Sequence, residues 1–470
     1  MIRIVGGGLA GTEAAWQAAR RGVPVALHEM RPVRPTAVHR SDRLAELVCS
    51  NSFRGDRLEN AVGLLKAEMR QLGSLVMRVA DATRVPAGGA LAVDRERFAA
   101  GVTEALETEP LVTIHRGEVT GVPAAEDVRR PVIVATGPLT SDALADELTA
   151  LVGHERLYFF DAISPIVHAD SIDSGVVFRA SRHGRHTAAD AAAGRGGAGA
   201  SRGAGEAGAG DYLNCPLDAA QYARFHEALL GAEVAGLHDF DRTPFFEGCL
   251  PIEVMAHRGV DTLRFGPMKP VGLTDPATGR RPYAVVQLRQ DNVAADHFSL
   301  VGFQTRLKWG EQARVLRMVP GLERAEFVRF GMIHRNTYIN APAVLRETWQ
   351  MRARPALFVA GQLSGVEGYV ESAASGLMAG IGAAALARGE TPRALPRTTA
   401  LGALAHYVSH ASPANYQPAN IAFGLRPSEA RPPRGRAARR EALARRALAD
   451  LEAWRSTGES VDGEPAARVS

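Results

Sequence analysis

Short apolar runs that end in glycine set the rhythm of this chain. Ile2-Arg3-Ile4-Val5 reads as a strand and runs directly into Gly6-Gly7-Gly8-Leu9-Ala10-Gly11. Behind the glycines, Thr12-Glu13-Ala14-Ala15-Trp16-Gln17-Ala18-Ala19 has the character of a helix, and Val23 to His28 reads as a second strand ending at Glu29. An amphipathic helix is expected near Ala61–Leu72. Two further apolar strands are expected at Val132–Pro138 and Ala356–Gln362. The second of these ends in a turn, followed by a small-residue helix that continues through Gly380.

This pattern carries chemistry as well as structure. Gly6-x-Gly8-x-x-Gly11, set between a strand and a helix, permits a tight turn and lets a pyrophosphate rest on the helix amino end. Glu29 stands 18 residues beyond Gly11, where a carboxylate accepts hydrogen bonds from ribose hydroxyls. The distal segment Gly361 to Gly376 and the Ala135-Thr136-Gly137 turn resemble the FAD domains of the glutathione-reductase type. The fold expected is therefore α/β, a Rossmann-like FAD-binding domain of that type with an inserted α+β domain. The expected cofactor-binding residues are Gly6, Gly7, Gly8, Leu9, Ala10, Gly11, Glu29, Gly137, Gly361, Gly365 and Glu371.

At 470 residues the chain exceeds the length at which one core stops growing. Residues 1–150 read as the first part of the FAD domain, 151–344 as the insert, 345–430 as the return to the first domain, and 431–470 as a basic tail. Residues 186–210 are nearly all Ala, Gly and Arg, too poor in apolar surface to offset ordering, and are expected to be a disordered loop. The arginine-rich tail is expected to form a solvated terminal helix. Net charge is +4, which permits a polyanionic partner without requiring one.

Because Met1 leads straight into the first strand, no signal peptide is expected, nor is an apolar run of bilayer length. The cysteines, Cys49, Cys215 and Cys249, are too few for a disulfide framework and show no CxxC spacing. A cytoplasmic setting with no membrane and no metal is expected. Lysine stands only at Lys66, Lys269 and Lys308 in an otherwise arginine-dominated chain. Retention against such a bias marks candidates for roles that need a compact ammonium.

Cys49 lies in Leu47-Val48-Cys49-Ser50-Asn51-Ser52, and Cys249 in Glu247-Gly248-Cys249-Leu250-Pro251-Ile252-Glu253. Both are breaker-rich polar turns that can hold a thiol near a surface, whereas Cys215 reads as structural. Four polar segments, around Lys269, at Gln287–Asn292, around Lys308 and at His334–Asn340, suggest the wall of a sizeable pocket.

These stretches, with Glu29-Met30-Arg31-Pro32, Val85–Arg95 and Gly365–Gly376, resemble the TrmFO family of folate- and FAD-dependent tRNA (uracil-5-)-methyltransferases, related to GidA. The resemblance spans residue 2 to about residue 424. It implies methylation of C5 of the T-loop uridine of tRNA (position 54), with methylenetetrahydrofolate as carbon donor, FAD as redox cofactor and NAD(P)H as reductant. It also implies Cys249 as the nucleophile and Cys49 as a second catalytic cysteine. Lys269, Lys308, His334, Arg335 and Tyr338 are expected to contact folate or RNA. The readings set against this one are a GidA-type enzyme acting on a wobble uridine, a FAD oxidoreductase of a small metabolite, and a non-catalytic flavin scaffold.

Overall fold

The computed structural model describes residues 1–36, 38–125, 127–153, 157–182, 210–235, 250–427 and 433–459, with backbone alone at 157–161, 333–335 and 458–459. The loop expected at 186–210 lies outside the described residues, apart from Gly210.

The apolar runs of the first domain assemble into a five-stranded parallel sheet. Its order is Leu357–Val359, Val132–Val134, Ile2–Val5, Val25–Glu29 and Val112–Arg116. All three residues of Val132–Val134 and of Leu357–Val359 are buried, as a parallel sheet covered on both faces requires. The helix after the glycine loop, Leu9–Ala19, packs against the long helix Tyr369–Arg388. Their backbones approach so closely that a Cβ on Gly376 would stand 2.0 Å from the Ala10 carbonyl oxygen, and one on Gly380 2.5 Å from that of Ala14. The second helix is long and apolar enough to cross a bilayer by composition, so the sequence-based expectation of no such run needs correcting. Most of that stretch is buried inside the protein.

The chain leaves this domain through Leu157–Ala162 and returns through Ile333–Tyr338, which pair antiparallel. Between them lies a six-stranded antiparallel sheet, ordered Phe178–Ala180, Tyr212–Leu217, Ala284–Gln290, His297–Leu300, Ile166–His168 and Phe327–Arg329. It has its own core, which includes Cys215, Phe225, Leu288, Phe298 and Phe303. Burial pushes the Cys215 thiol pKa up, consistent with a structural cysteine.

The tail departs from expectation. Its helix, Arg436–Glu459, is docked and not simply solvated: Ala444, Ala447 and Leu451 are buried in the first domain's core. Trp454 Nε1 donates to the Ala394 carbonyl at 3.0 Å, and the Arg393 guanidinium lies over the Trp454 ring. The i, i+3, i+7 spacing of these apolar residues is narrow and easily hidden among the arginines.

Candidate functional site

A cleft of about 1050 Å³ runs along the carboxyl ends of the parallel strands, where open α/β sheets take their ligands. Gly6, Gly7, Gly8, Leu9 and Ala10 line it from the first strand, Glu29 from the second, Gly137 from the fourth and Gly361 from the last. Gly8 has nothing within 4 Å of the place its Cβ would occupy, and no side chain caps the helix that follows. This cradle fits a pyrophosphate, which would be held by the loop amides and the helix dipole. Gly11 does not line the cleft. A Cβ there would stand 1.8 Å from the Gly6 carbonyl oxygen, so this glycine closes the turn.

Glu29 is 5 % exposed. Its Oε2 accepts the Gly7 amide at 2.9 Å, and its Oε1 accepts the Arg31 amide at 3.0 Å and Arg31 Nε at 2.7 Å. Burial alone would raise this carboxyl, but the bonds and charge of Arg31, with the Gly7 amide, hold it below the usual value. A carboxylate has about four acceptor positions, so three donors leave one for a ribose hydroxyl. Arg31 was not anticipated as a site residue. It also reaches Glu46 and the Ser41 carbonyl, fixing the cleft's outer wall. His39, on the same wall, is pushed down to about 4 by burial and by the Arg31 charge, so it is neutral at physiological pH.

Across Val48, Pro138, Gln362, Tyr369 and Ser372 this cleft opens onto a second one of about 1210 Å³, lined by Cys49, Ser50, Arg54, Arg289 and Gln304. The Tyr369 hydroxyl accepts the backbone N–H of Cys49 at 2.8 Å and of Ser50 at 3.0 Å, which fixes the cysteine turn. Arg289 donates to Asn51 Oδ1 at 2.7 Å and to Ser50 Oγ at 2.8 Å. Arg95 donates to the carbonyls of Leu47 and Cys49 and is held bidentate by Asp291. Arg95, Arg289 and Arg329 each interact electrostatically with the Cys49 thiol. Cationic groups around a cleft favour anionic species bound there. Arg289 lies in the polar segment Gln287–Asn292 expected at the pocket wall. Arg95 and Arg329 were not anticipated; the partner of Arg95, Asp291, is 196 positions away.

Lys66 shows what a retained lysine can do. Fully buried, it donates to the carbonyls of Phe53 and Arg54 and pairs with Asp56 at 3.2 Å, holding the strand Ser52–Gly55 behind the cysteine turn.

Several expected site residues stand elsewhere. Lys269 is exposed and lines neither cleft. Lys308 is exposed and paired with Glu233. Tyr338 is buried in the first core against Tyr416, and burial raises its hydroxyl pKa to about 12. Glu371 is fully buried but serves as a clamp, ion-paired with Arg54 and accepting the Ile421 amide. Gly365 lies against the Tyr416 ring in the left-handed region, away from the cleft. His334 and Arg335 are on the returning strand, where only the backbone is described. Cys249 lies outside the described residues. The segment that follows it is anchored beside the second cleft: the Ile252 amide donates to the Gln304 carbonyl at 2.7 Å, and Glu253 accepts from Thr305 and the Arg306 amide.

A parallel sheet with a dinucleotide cleft that opens onto a cysteine turn defines a flavoprotein of the Rossmann-like type. A family model described as Glucose inhibited division protein A matches residues 1–391. A Desulforudis audaxviator protein named methylenetetrahydrofolate--tRNA-(uracil-5-)-methyltransferase TrmFO is 58 % identical, over 96 % of this chain and 98 % of its own length. Proteins of the same name from Pelotomaculum thermopropionicum and Enterococcus faecalis are 56 % and 53 % identical, each over 98 % of their own length. The chain belongs to the TrmFO family, within the wider GidA group. Among solved structures, Aquifex aeolicus GidA in its form II crystal matches 96 % of this chain and 73 % of its own, with a TM-score of 0.68 at 19 % identity. That likeness concerns the fold.

Proposed function

We propose that this chain transfers the one-carbon unit of methylenetetrahydrofolate to C5 of the T-loop uridine of tRNA (position 54), with FAD as resident cofactor and NAD(P)H as electron source. The observation that carries the reading is the junction of the two clefts, which brings the dinucleotide cradle to the Cys49 turn across Tyr369. The activity printed for relatives that are 53 to 58 % identical over nearly the whole chain supports the same reading.

C5 of uracil is a weak nucleophile. A thiolate adding to C6 turns the ring into an enolate, whose C5 attacks the folate methylene carbon. Cys249 is assigned this addition, and Cys49 the removal of the C5 proton that precedes release of the thiolate. Arg95, Arg289 and Arg329 supply the positive field in which an anionic ring is stabilised. Loss of that proton breaks the bond between the transferred carbon and the folate nitrogen, with tetrahydrofolate as leaving group. Gly6–Ala10 and Glu29 would hold FAD, whose NAD(P)H-reduced form would supply the hydride that completes the methyl group. The insert at 151–344 is assigned to folate and RNA. A loop base must be unstacked to reach such a site, and a single-stranded loop makes this cheap.

The test is transfer of label from the methylene carbon of methylenetetrahydrofolate to unmodified tRNA, in the presence of NADPH, with the labelled base mapped. Label in ribothymidine at the T-loop is expected, and Cys249→Ala should abolish it while the protein stays yellow. NADPH consumption with unlabelled tRNA would point instead to a metabolite oxidoreductase, and label at a wobble uridine to a GidA-type reaction.

A further inference from the structure

The loop that follows the short helix Ala341–Val344 folds back on the helix Ala400–His410, and three metal-competent side chains meet there. His406 and His410 stand four residues apart on one face of that helix, their rings stacked with centroids 4.2 Å apart. Glu347 reaches both: its Oε1 lies 2.6 Å from His406 Nδ1 and 3.6 Å from His410 Nδ1. One ligand atom from each residue falls within 4.8 Å of the other two. None of the three lines the flavin cleft or the Cys49 cleft.

We propose that Glu347, His406 and His410 bind one divalent transition-metal ion of the zinc class, with water completing the coordination. Two imidazoles and a carboxylate suit zinc and its borderline neighbours better than calcium or magnesium. Ligands held at about 2.0–2.2 Å around a tetrahedral ion stand about 3.4 Å from one another, so closure needs side-chain shifts of about an ångström. The His410 side chain is half exposed, which provides the entry path. Its Nδ1 also meets the Ser409 hydroxyl at 2.8 Å. Coordination would replace that contact, and the hydroxyl keeps its bond to the Ala405 carbonyl.

The ion would act as a staple. Glu347 belongs to the loop that bridges Leu345 to Met351 and Gln350 to Phe358, and so to the edge strand of the flavin sheet. Metal bound here would tie that strand's approach to the helix Ala400–His410. The expectation of no metal rested on cysteine spacing, whereas the signal here is a histidine pair at helical spacing.

The experiment is a zinc titration of the full chain after chelator treatment and dialysis, followed by calorimetry, with cobalt as a spectroscopic probe. One zinc per chain is expected with micromolar affinity, together with a cobalt spectrum lacking a thiolate charge-transfer band and a rise in Tm on zinc addition. His406→Ala combined with His410→Ala should abolish both the binding and the Tm rise. The single variant His410→Ala, on an exposed residue, should weaken binding tenfold or more with the flavin absorbance intact. The proposal is overturned if zinc binds only at millimolar concentration, if the double variant binds as the wild type does, or if the cobalt spectrum shows thiolate ligation.

Discussion

The phenol of Tyr369 holds the backbone of Cys49, a residue 320 positions away in the chain, through a 2.8 Å hydrogen bond from the cysteine's amide. The tyrosine opens the helix Tyr369–Arg388, whose Gly376 and Gly380 seat it against the glycine-loop helix. The Cys49 turn is thus positioned by the same element that closes the flavin cleft.

Tyr369→Phe removes the acceptor for two backbone donors, at a cost of about 1–3 kcal/mol in local order of the Cys49 turn. The expected outcome is a flavin-bound protein whose methyl-transfer rate falls tenfold or more. Stopped assays beside the flavin absorbance check this, and a wild-type rate would remove Tyr369 from the site.

Gly376→Ala places a methyl group 2.0 Å from the Ala10 carbonyl oxygen. The helices must separate, at about 1–3 kcal/mol as for other overpacked contacts. Because Ala10 is part of the cradle, FAD affinity should fall together with Tm. Fluorescence titration of released flavin measures the first and a thermal melt the second.

Glu68 is buried and accepts the amides of Ala400 and Leu401, at the start of the helix Ala400–His410. Burial raises its pKa to about 7. A carboxyl raised in the folded state lends stability that is complete below its unfolded value near 4.5 and is lost as pH rises through about 7. The stability difference between wild type and Glu68→Gln should therefore shift against the wild type between pH 4.5 and pH 7.5. Denaturant melts of both proteins at the two pH values measure it, and parallel curves would contradict the assignment.

Leu451 is 1 % exposed on the docked face of the C-terminal helix. Leu451→Ala should cost about 2–5 kcal/mol, the range for truncating a buried leucine. A chain cut after Gly424 should lose at least that much stability. If tRNA affinity also loses part of its salt dependence on truncation, the outward-facing arginines of this helix contact phosphate.

What could be read from the chain alone followed the range over which each residue's demands are set. Gly6, Gly8 and Glu29 were legible because a turn, a helix amino end and a strand end impose their requirements within 30 residues. The pairing of exposed Lys308 with Glu233 was not legible because the two stand 75 positions apart. Tyr338 misled because the face it takes depends on the returning strand's pairing with Leu157–Ala162. Arg95 with Asp291 escaped notice because 196 positions separate them, and Arg289, though in a segment expected at the pocket wall, could not be matched to Asn51 across 238 positions. Lys66 was signalled by its rarity in an arginine-rich chain, although rarity alone did not tell it from Lys269.

The close seating of Gly376 and Gly380 on Ala10 and Ala14 also bears on how the protein is made. The residues that begin the cradle leave the ribosome first, whereas Gly361, Gln362, Tyr369 and Ser372, which form its far wall, are among the last of the domain to emerge. A nascent chain lacking them exposes a glycine turn and a small-residue helix with nothing to close against. Flavin capture is therefore expected to be a late event in biosynthesis, and a product truncated before this helix is expected to be colourless, which its visible absorbance would check.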